Sequence, residues 1–112
     1  MSGKRQQKRF IYRCESEFVF DNITCRGIAS DFSLSGLFMK TTRPAPPDTI
    51  LNITIYLPDD SISKLKGKVR RAVKSSLGRV IGTPVKSLRS GMGVEIIQKD
   101  AHYLHFIRSL LG

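Results

Sequence analysis

TILNITIYLPDDSISKLKGKVRRAVK, residues 49–74, alternates, turns and alternates again. Leu51, Ile53, Ile55 and Leu57 recur every second residue, which places them on one face of a strand. Pro58-Asp59-Asp60 reads as a turn. Beyond it Leu65, Val69 and Val73 share one face and Lys and Arg mostly occupy the other, with Ile62 out of phase. Gly67 inside this run signals a bulge or bend.

The period of two extends to both sides. CESEFVF (14–20) and ITCRGIAS (23–30) are strand-like runs joined by the turn signal Asp21-Asn22, a candidate hairpin. DFSLSG (31–36) leads into the short apolar run LFMKT (37–41). RPAPPD (43–48) holds three prolines and is a loop. Residues 75–90 form a longer connection with Gly78, Gly82 and Pro84, and a short strand is expected around 79–81. GMGVEII (91–97) is a last strand.

The period then changes. Asp100 can cap a helix start. After it Tyr103, Leu104, Ile107, Leu110 and Leu111 recur at helical spacing, and Gly112 is a plausible stop. The expected fold is mainly all-β: about six strands whose turn spacing suits a small antiparallel barrel, with one C-terminal helix over about 100–111 that plugs or flanks an open end. Residues 1–13 are expected to be a mobile basic arm and residues 14–112 the barrel with its helix.

Composition narrows the class. A chain of 112 residues, 40% hydrophobic and 25% charged, is one folded domain. No apolar run approaches the ~20 residues that span a bilayer. MSGKRQQKRF is charged and no long apolar stretch follows it, so no secretory signal is expected. Cys14 and Cys25 lack the spacing of a disulfide scaffold and read as free thiols in a reducing cytoplasm. Nineteen Lys and Arg against nine Asp and Glu give a formal net charge of +10, so a partner carrying phosphate is expected.

No catalytic signature stands out, and no enzyme activity is expected. His102 and His105 with Asp100 suggest a metal site only until a third convergent ligand is sought. Asp59 and Asp60 sit in a proline-containing turn. A nucleic-acid-binding barrel would explain the charge, but it usually exposes aromatics for base stacking. Here Phe18, Phe20, Phe38 and Tyr56 lie in apolar contexts where burial is the default, so nucleic acid is not the expected partner.

Two motifs carry chemistry. RQQKR (Arg5 to Arg9), after Lys4 and before Arg13, precedes the first strand. Arginines four apart in an extended arm can clamp one ligand from two sides. Their planar forks pair with phosphate or with guanine O6 and N7, and can stack on a base. The plain alternative is a solvated basic tail. In DFSLSG, Asp31 and Ser33 are two apart, which puts both side chains on one face of an extended segment. A carboxylate accepts from the N1–H and N2–H₂ edge of guanine, a serine hydroxyl can donate to phosphate, and Gly36 removes a Cβ where backbone turns or approaches a ligand. The plain alternative is an Asx or Ser turn between strands.

RxxxR followed about twenty residues later by DxSxxG between strands resembles the PilZ domain family. GMGVEI (Gly91 to Ile96) and the terminal helix match that family too. The resemblance implies a six-stranded antiparallel β-barrel that binds cyclic di-GMP, without a cofactor. By position, Arg5 and Arg9 would be the arm arginines, taking a Hoogsteen edge and the phosphates. Asp31, Ser33 and Gly36 would be the barrel motif, with Asp31 on the guanine edge. Ser35 stands where the family often has glycine, and it leaves DxSxxG intact. Lys4 occupies a position associated with binding one nucleotide or an intercalated pair. Lys4 and Ser35 therefore join the expected ligand-binding set. Binding would order the arm and present a new surface to a downstream protein partner, in processes such as motility, surface attachment or exopolysaccharide output. A PilZ-like adaptor that works without ligand is the alternative.

Overall fold

The structure is a computed structural model and describes residues 9–73 and 90–111. Among them six strands close into a barrel: β1 (Cys14–Phe20), β2 (Ile23–Ser30), β3 (Gly36–Lys40), β4 (Ile50–Tyr56), β5 (Ile62–Val73) and β6 (Gly91–Gln98). One helix, α1 (Ala101–Leu111), follows. The strand order around the wall is β1-β2-β3-β6-β5-β4, with β4 pairing back onto β1 and all neighbours antiparallel. Closure removes both free edges of the sheet. The strand expected at 79–81 lies outside the described residues, as do Lys4 and Arg5.

The alternation in β4 behaves as its sequence dictates: Leu51, Ile53, Ile55 and the following Leu57 are buried. Asp21 and Asn22 both have positive φ, 56° and 63°. A two-residue turn of this hand matches the twist of a hairpin, and Asp and Asn tolerate it. β1 and β2 are paired from Cys14–Ala29 to Phe20–Ile23 around it. Gly67 sits at a register shift between β5 and β6. A Cβ there would run into the Val94 side chain, so the close approach of these strands requires glycine.

Three sequence expectations change. The period of two groups Val73 with Leu65 and Val69, but a second shift between Val69 and Arg71 reverses the parity, and Val73 is exposed. Tyr56 follows the inward Ile55 on a regular strand, so it lies on the outer wall. On α1 the buried residues are Tyr103, Phe106 and Ile107, while Leu111 is exposed. The apolar face is therefore turned toward Phe106, which the leucine stripe had passed over.

Asp100 fixes where the helix starts. One carboxylate oxygen accepts the Tyr103 N–H (3.0 Å) and the Ser63 hydroxyl (2.8 Å), and the other accepts the Lys64 N–H (2.8 Å). The helix N-terminus is thus capped and tied to β5. Burial pushes the Asp100 pKa up, but the bonds from Lys64, Tyr103 and Ser63 together outweigh it and hold the carboxyl below its ordinary value. A depressed folded-state value means stability that is present above the unfolded pKa of ~3.9 and is lost as pH falls through the lower folded value. Asp100→Ala is expected to be less stable at neutral pH by about 0.5–2 kcal/mol. In urea unfolding across pH, the gap should narrow as pH drops below ~4. A gap that stays constant would remove the carboxylate from the account.

Candidate functional site

The arm and the β2–β3 loop meet at one bridge. The Phe10 N–H donates to the Phe32 carbonyl (2.7 Å), and the Phe32 N–H to the Phe10 carbonyl (2.8 Å). In that antiparallel register Arg9 lies opposite Ser33 and Ile11 opposite Asp31. Arg9 and the DFSLSG loop, more than twenty residues apart in sequence, are neighbours in space.

Aromatic packing holds the bridge. Phe32 and Tyr103 are fully buried. Phe106 packs edge-on against Phe32, with centroids 5.2 Å apart, and Tyr103 lies 6.3 Å from Phe32. Tyr12, just past the bridge, stands edge-on to Phe106 at 5.8 Å. Perpendicular arrangements of this kind are favourable because ring edges meet ring faces. The last residues of the arm are therefore tied both to the motif loop and to α1.

Asp31 has φ 51°, a left-handed conformation that Asp adopts more readily than most residues. The segment is therefore not extended, contrary to the sequence expectation. The kink at Asp31 lets Phe32 turn into the core and carries Ser33 inward with it. Ser33 is buried, and its hydroxyl both donates to the Gly36 carbonyl (3.2 Å) and accepts from the Gly36 N–H (3.1 Å). The Ser33 N–H also donates to Gly36 O (2.9 Å). The hydroxyl expected to face phosphate is thus engaged in the turn.

The Ser33 carbonyl in turn accepts the Tyr103 hydroxyl at 2.6 Å. Burial pushes the Tyr103 phenol well above its ordinary value, and the nearby Cys14 adds to this, so Tyr103 stays a neutral donor. The Ser35 carbonyl accepts the Ile96 N–H (2.8 Å), which fastens the loop to β6. A Cβ on Gly36 would lie 3.0 Å from the Val94 carbonyl. Gly36 therefore serves close strand packing as well as the turn.

What remains open to a ligand is small and polar. Arg9 is exposed and Asp31 half-buried. Among the described residues neither side chain has a hydrogen bond or ion pair. Ile11 and Leu34, both exposed, flank them. A separate hollow over β1 and β2 is lined in part by Glu15, Glu17, Arg26 and Tyr56. Its two carboxylates make it a poor seat for a phosphate ligand.

Other groups are structural. Cys14 and Cys25 are buried free thiols, and burial pushes Cys14 up to about 11. The Asp100 carboxylate is committed to the helix cap, and among the described residues no three His, Cys, Asp or Glu side chains could hold a metal. Sequence reasoning did not find Phe10, Phe32, Tyr103 or Phe106 as supports of the site. The apolar residue inside DxSxxG was the available signal for Phe32.

Residues 3–111 match the PilZ domain. Among solved structures, the inhibitor of motility of Bacillus subtilis (MotI/DgrA) superposes with a TM-score of 0.76 at 16% identity. That match covers 98% of this chain and 51% of the other, so the chain spans about half the length of that protein. At this identity the likeness shows the fold. No curated protein matches the sequence. No helix among the described residues is long and apolar enough to cross a membrane.

Proposed function

The chain belongs to the PilZ domain family, and on that premise we propose that it is a cyclic di-GMP receptor whose N-terminal arm closes over the barrel beside Asp31. The observation that carries this reading is the Phe10–Phe32 bridge, which brings Arg9, opposite Ser33, and Asp31, opposite Ile11, to one short stretch of backbone pairing, with no partner for either side chain among the described residues. A guanidinium and a carboxylate in that arrangement suit guanine well. The fork takes O6 and N7 or a phosphate, while the carboxylate accepts from the N1–H and N2–H₂ edge. Exposed Ile11 and Leu34 offer apolar surface to a purine face.

Ser33 and Gly36 act here by shaping the loop rather than by touching phosphate. Arg5 would complete the clamp and Lys4 would add charge against the phosphates; the arm that carries them orders on binding. Fixing each residue costs ~1–2 kcal/mol, so several charge-assisted bonds must form together to offset it. The ordered arm then presents a new surface to a downstream protein partner. Motility is a natural output, given that the structural relative is an inhibitor of motility.

The test is calorimetric titration of the protein with cyclic di-GMP, with GTP and a short oligonucleotide as controls. Saturable binding of cyclic di-GMP alone is expected, and its stoichiometry distinguishes one nucleotide from an intercalated pair. The absence of heat across a range of temperatures would sink the receptor reading in favour of a ligand-independent adaptor.

A further inference from the structure

We infer that the outer wall of β5 is a docking surface for the phosphate backbone of a nucleic-acid duplex. Lys64, Lys66, Lys68 and Arg70 alternate with buried or core-facing positions, so all four point outward in one row. Two strand residues advance ~6.6 Å, and the row extends ~20 Å. The phosphates of one duplex strand follow a helical path, and β5 carries two register shifts within this row, so the match to a nucleic-acid backbone is one of charge sign and length rather than of phosphate-by-phosphate register.

The surroundings favour this occupant. The outward residues of β4 facing the row are Ile50, Asn52 and Thr54, opposite Lys68, Lys66 and Lys64. None is acidic. Lys68 lies 3.9 Å from Asp48 and Arg70 3.2 Å from Glu95, but Lys64, Lys66 and Lys99 have no ion pair among the described residues. Asn52, Thr54, Lys64, Lys66, Gln98 and Lys99 line a shallow hollow at this place together with Asp100, whose carboxylate oxygens are taken up by the Ser63 hydroxyl and the Lys64 and Tyr103 N–H groups. Lysines mixed with amide and hydroxyl side chains are the chemistry that contacts phosphate oxygens.

Like charges in a row repel, and an acidic neighbour on β4 would have relieved this. The positive wall is also narrow. Glu95 stands on β6, and Glu15 and Glu17 lie on β1 beyond neutral β4. A linear polyanion along β5 stays within the positive strip, whereas an anionic lipid plane would meet these carboxylates as well. The scarcity of exposed rings argues against base stacking on single strands and leaves backbone contact to a duplex untouched. Tyr56, at the Ile62 end of the row, has its hydroxyl engaged by Glu17.

In the six-stranded ring β5 is diametrically opposite β2, the strand that leads into Asp31. The surface is therefore distinct from the cyclic di-GMP site and does not depend on that assignment. Fluorescence anisotropy of a labelled mixed-sequence DNA duplex, titrated with the whole protein over a series of salt concentrations, provides the test. The logarithm of affinity should fall linearly with the logarithm of salt, with a slope of about −3 or steeper. Lys64→Glu/Lys66→Glu should weaken binding by about tenfold or more and flatten that slope. Arg43→Glu/Arg108→Glu, which makes the same change in net charge at exposed sites elsewhere, should change it by less than about threefold. Circular dichroism and thermal melting of both variants report that the barrel is intact. Equal losses in the two double variants would overturn the proposal, since overall charge would then explain binding. Tighter, Lys64- and Lys66-dependent binding of phosphatidylglycerol vesicles or of polyglutamate would overturn it too, by reassigning the wall to a lipid or an acidic protein.

Discussion

A Tyr103→Phe protein is expected to unfold in urea with a stability about 1–3 kcal/mol below wild type, although only one oxygen atom is removed. The ring contacts with Phe32 and Phe106 survive the change. The 2.6 Å bond to the Ser33 carbonyl does not. Tyr103 is fully buried and Ser33 nearly so, so that carbonyl loses its donor where water has little access. Tyr103→Ala should cost more, about 3–5 kcal/mol, because a cavity opens at the centre of the aromatic cluster. The difference between the two variants separates the hydrogen bond from the packing. A Tyr103→Phe stability within about 0.5 kcal/mol of wild type would mean the loop finds another donor. The same variant should also weaken cyclic di-GMP binding under the receptor reading, because Ser33 closes the turn that follows Asp31.

This coupling shows where sequence reading stops. β4 was legible because both faces of a regular strand keep one parity from end to end, and Leu51 to Leu57 do so. β5 was legible only as far as Val69. The shift between Val69 and Arg71 is set by pairing with β6, over twenty residues away, and nothing local to Val73 reports it. Helical spacing located α1, yet its rotation was misjudged, because Phe106 wins its buried place through rings contributed by Phe32 and Tyr12. The site divides in the same way. Arg9, Asp31 and Gly36 could be picked out by residue type and spacing. The bridge that joins arm to loop is long-range backbone pairing, which carries no local pattern. The engagement of the Ser33 hydroxyl with Gly36 was not legible either, because it depends on the burial of Ser33, which no local pattern reports.

Arg9→Ala is expected to weaken cyclic di-GMP binding by about ten- to a hundredfold while leaving the melting temperature almost unchanged. The two halves of that expectation have different physical origins. Hydrogen bonds to charged groups contribute about 1.5–3 kcal/mol, and each ~1.4 kcal/mol is a factor of ten in affinity. Stability should hold because Arg9 is exposed and has no partner among the described residues; such surface changes stay within about 0.5 kcal/mol. Phe10→Ala provides the contrast. It keeps Arg9 and the backbone bridge but removes a side chain packed against the core, so stability and affinity should fall together. Arg9→Lys then tests the chemistry of the contact, since it keeps the charge and loses the planar fork. If the fork reads guanine or a phosphate through paired bonds, Arg9→Lys binds with affinity nearer to Arg9→Ala than to wild type in calorimetry. Full recovery with lysine would mean that Arg9 acts through charge alone, and the guanine edge would then have to be read by Asp31 without it.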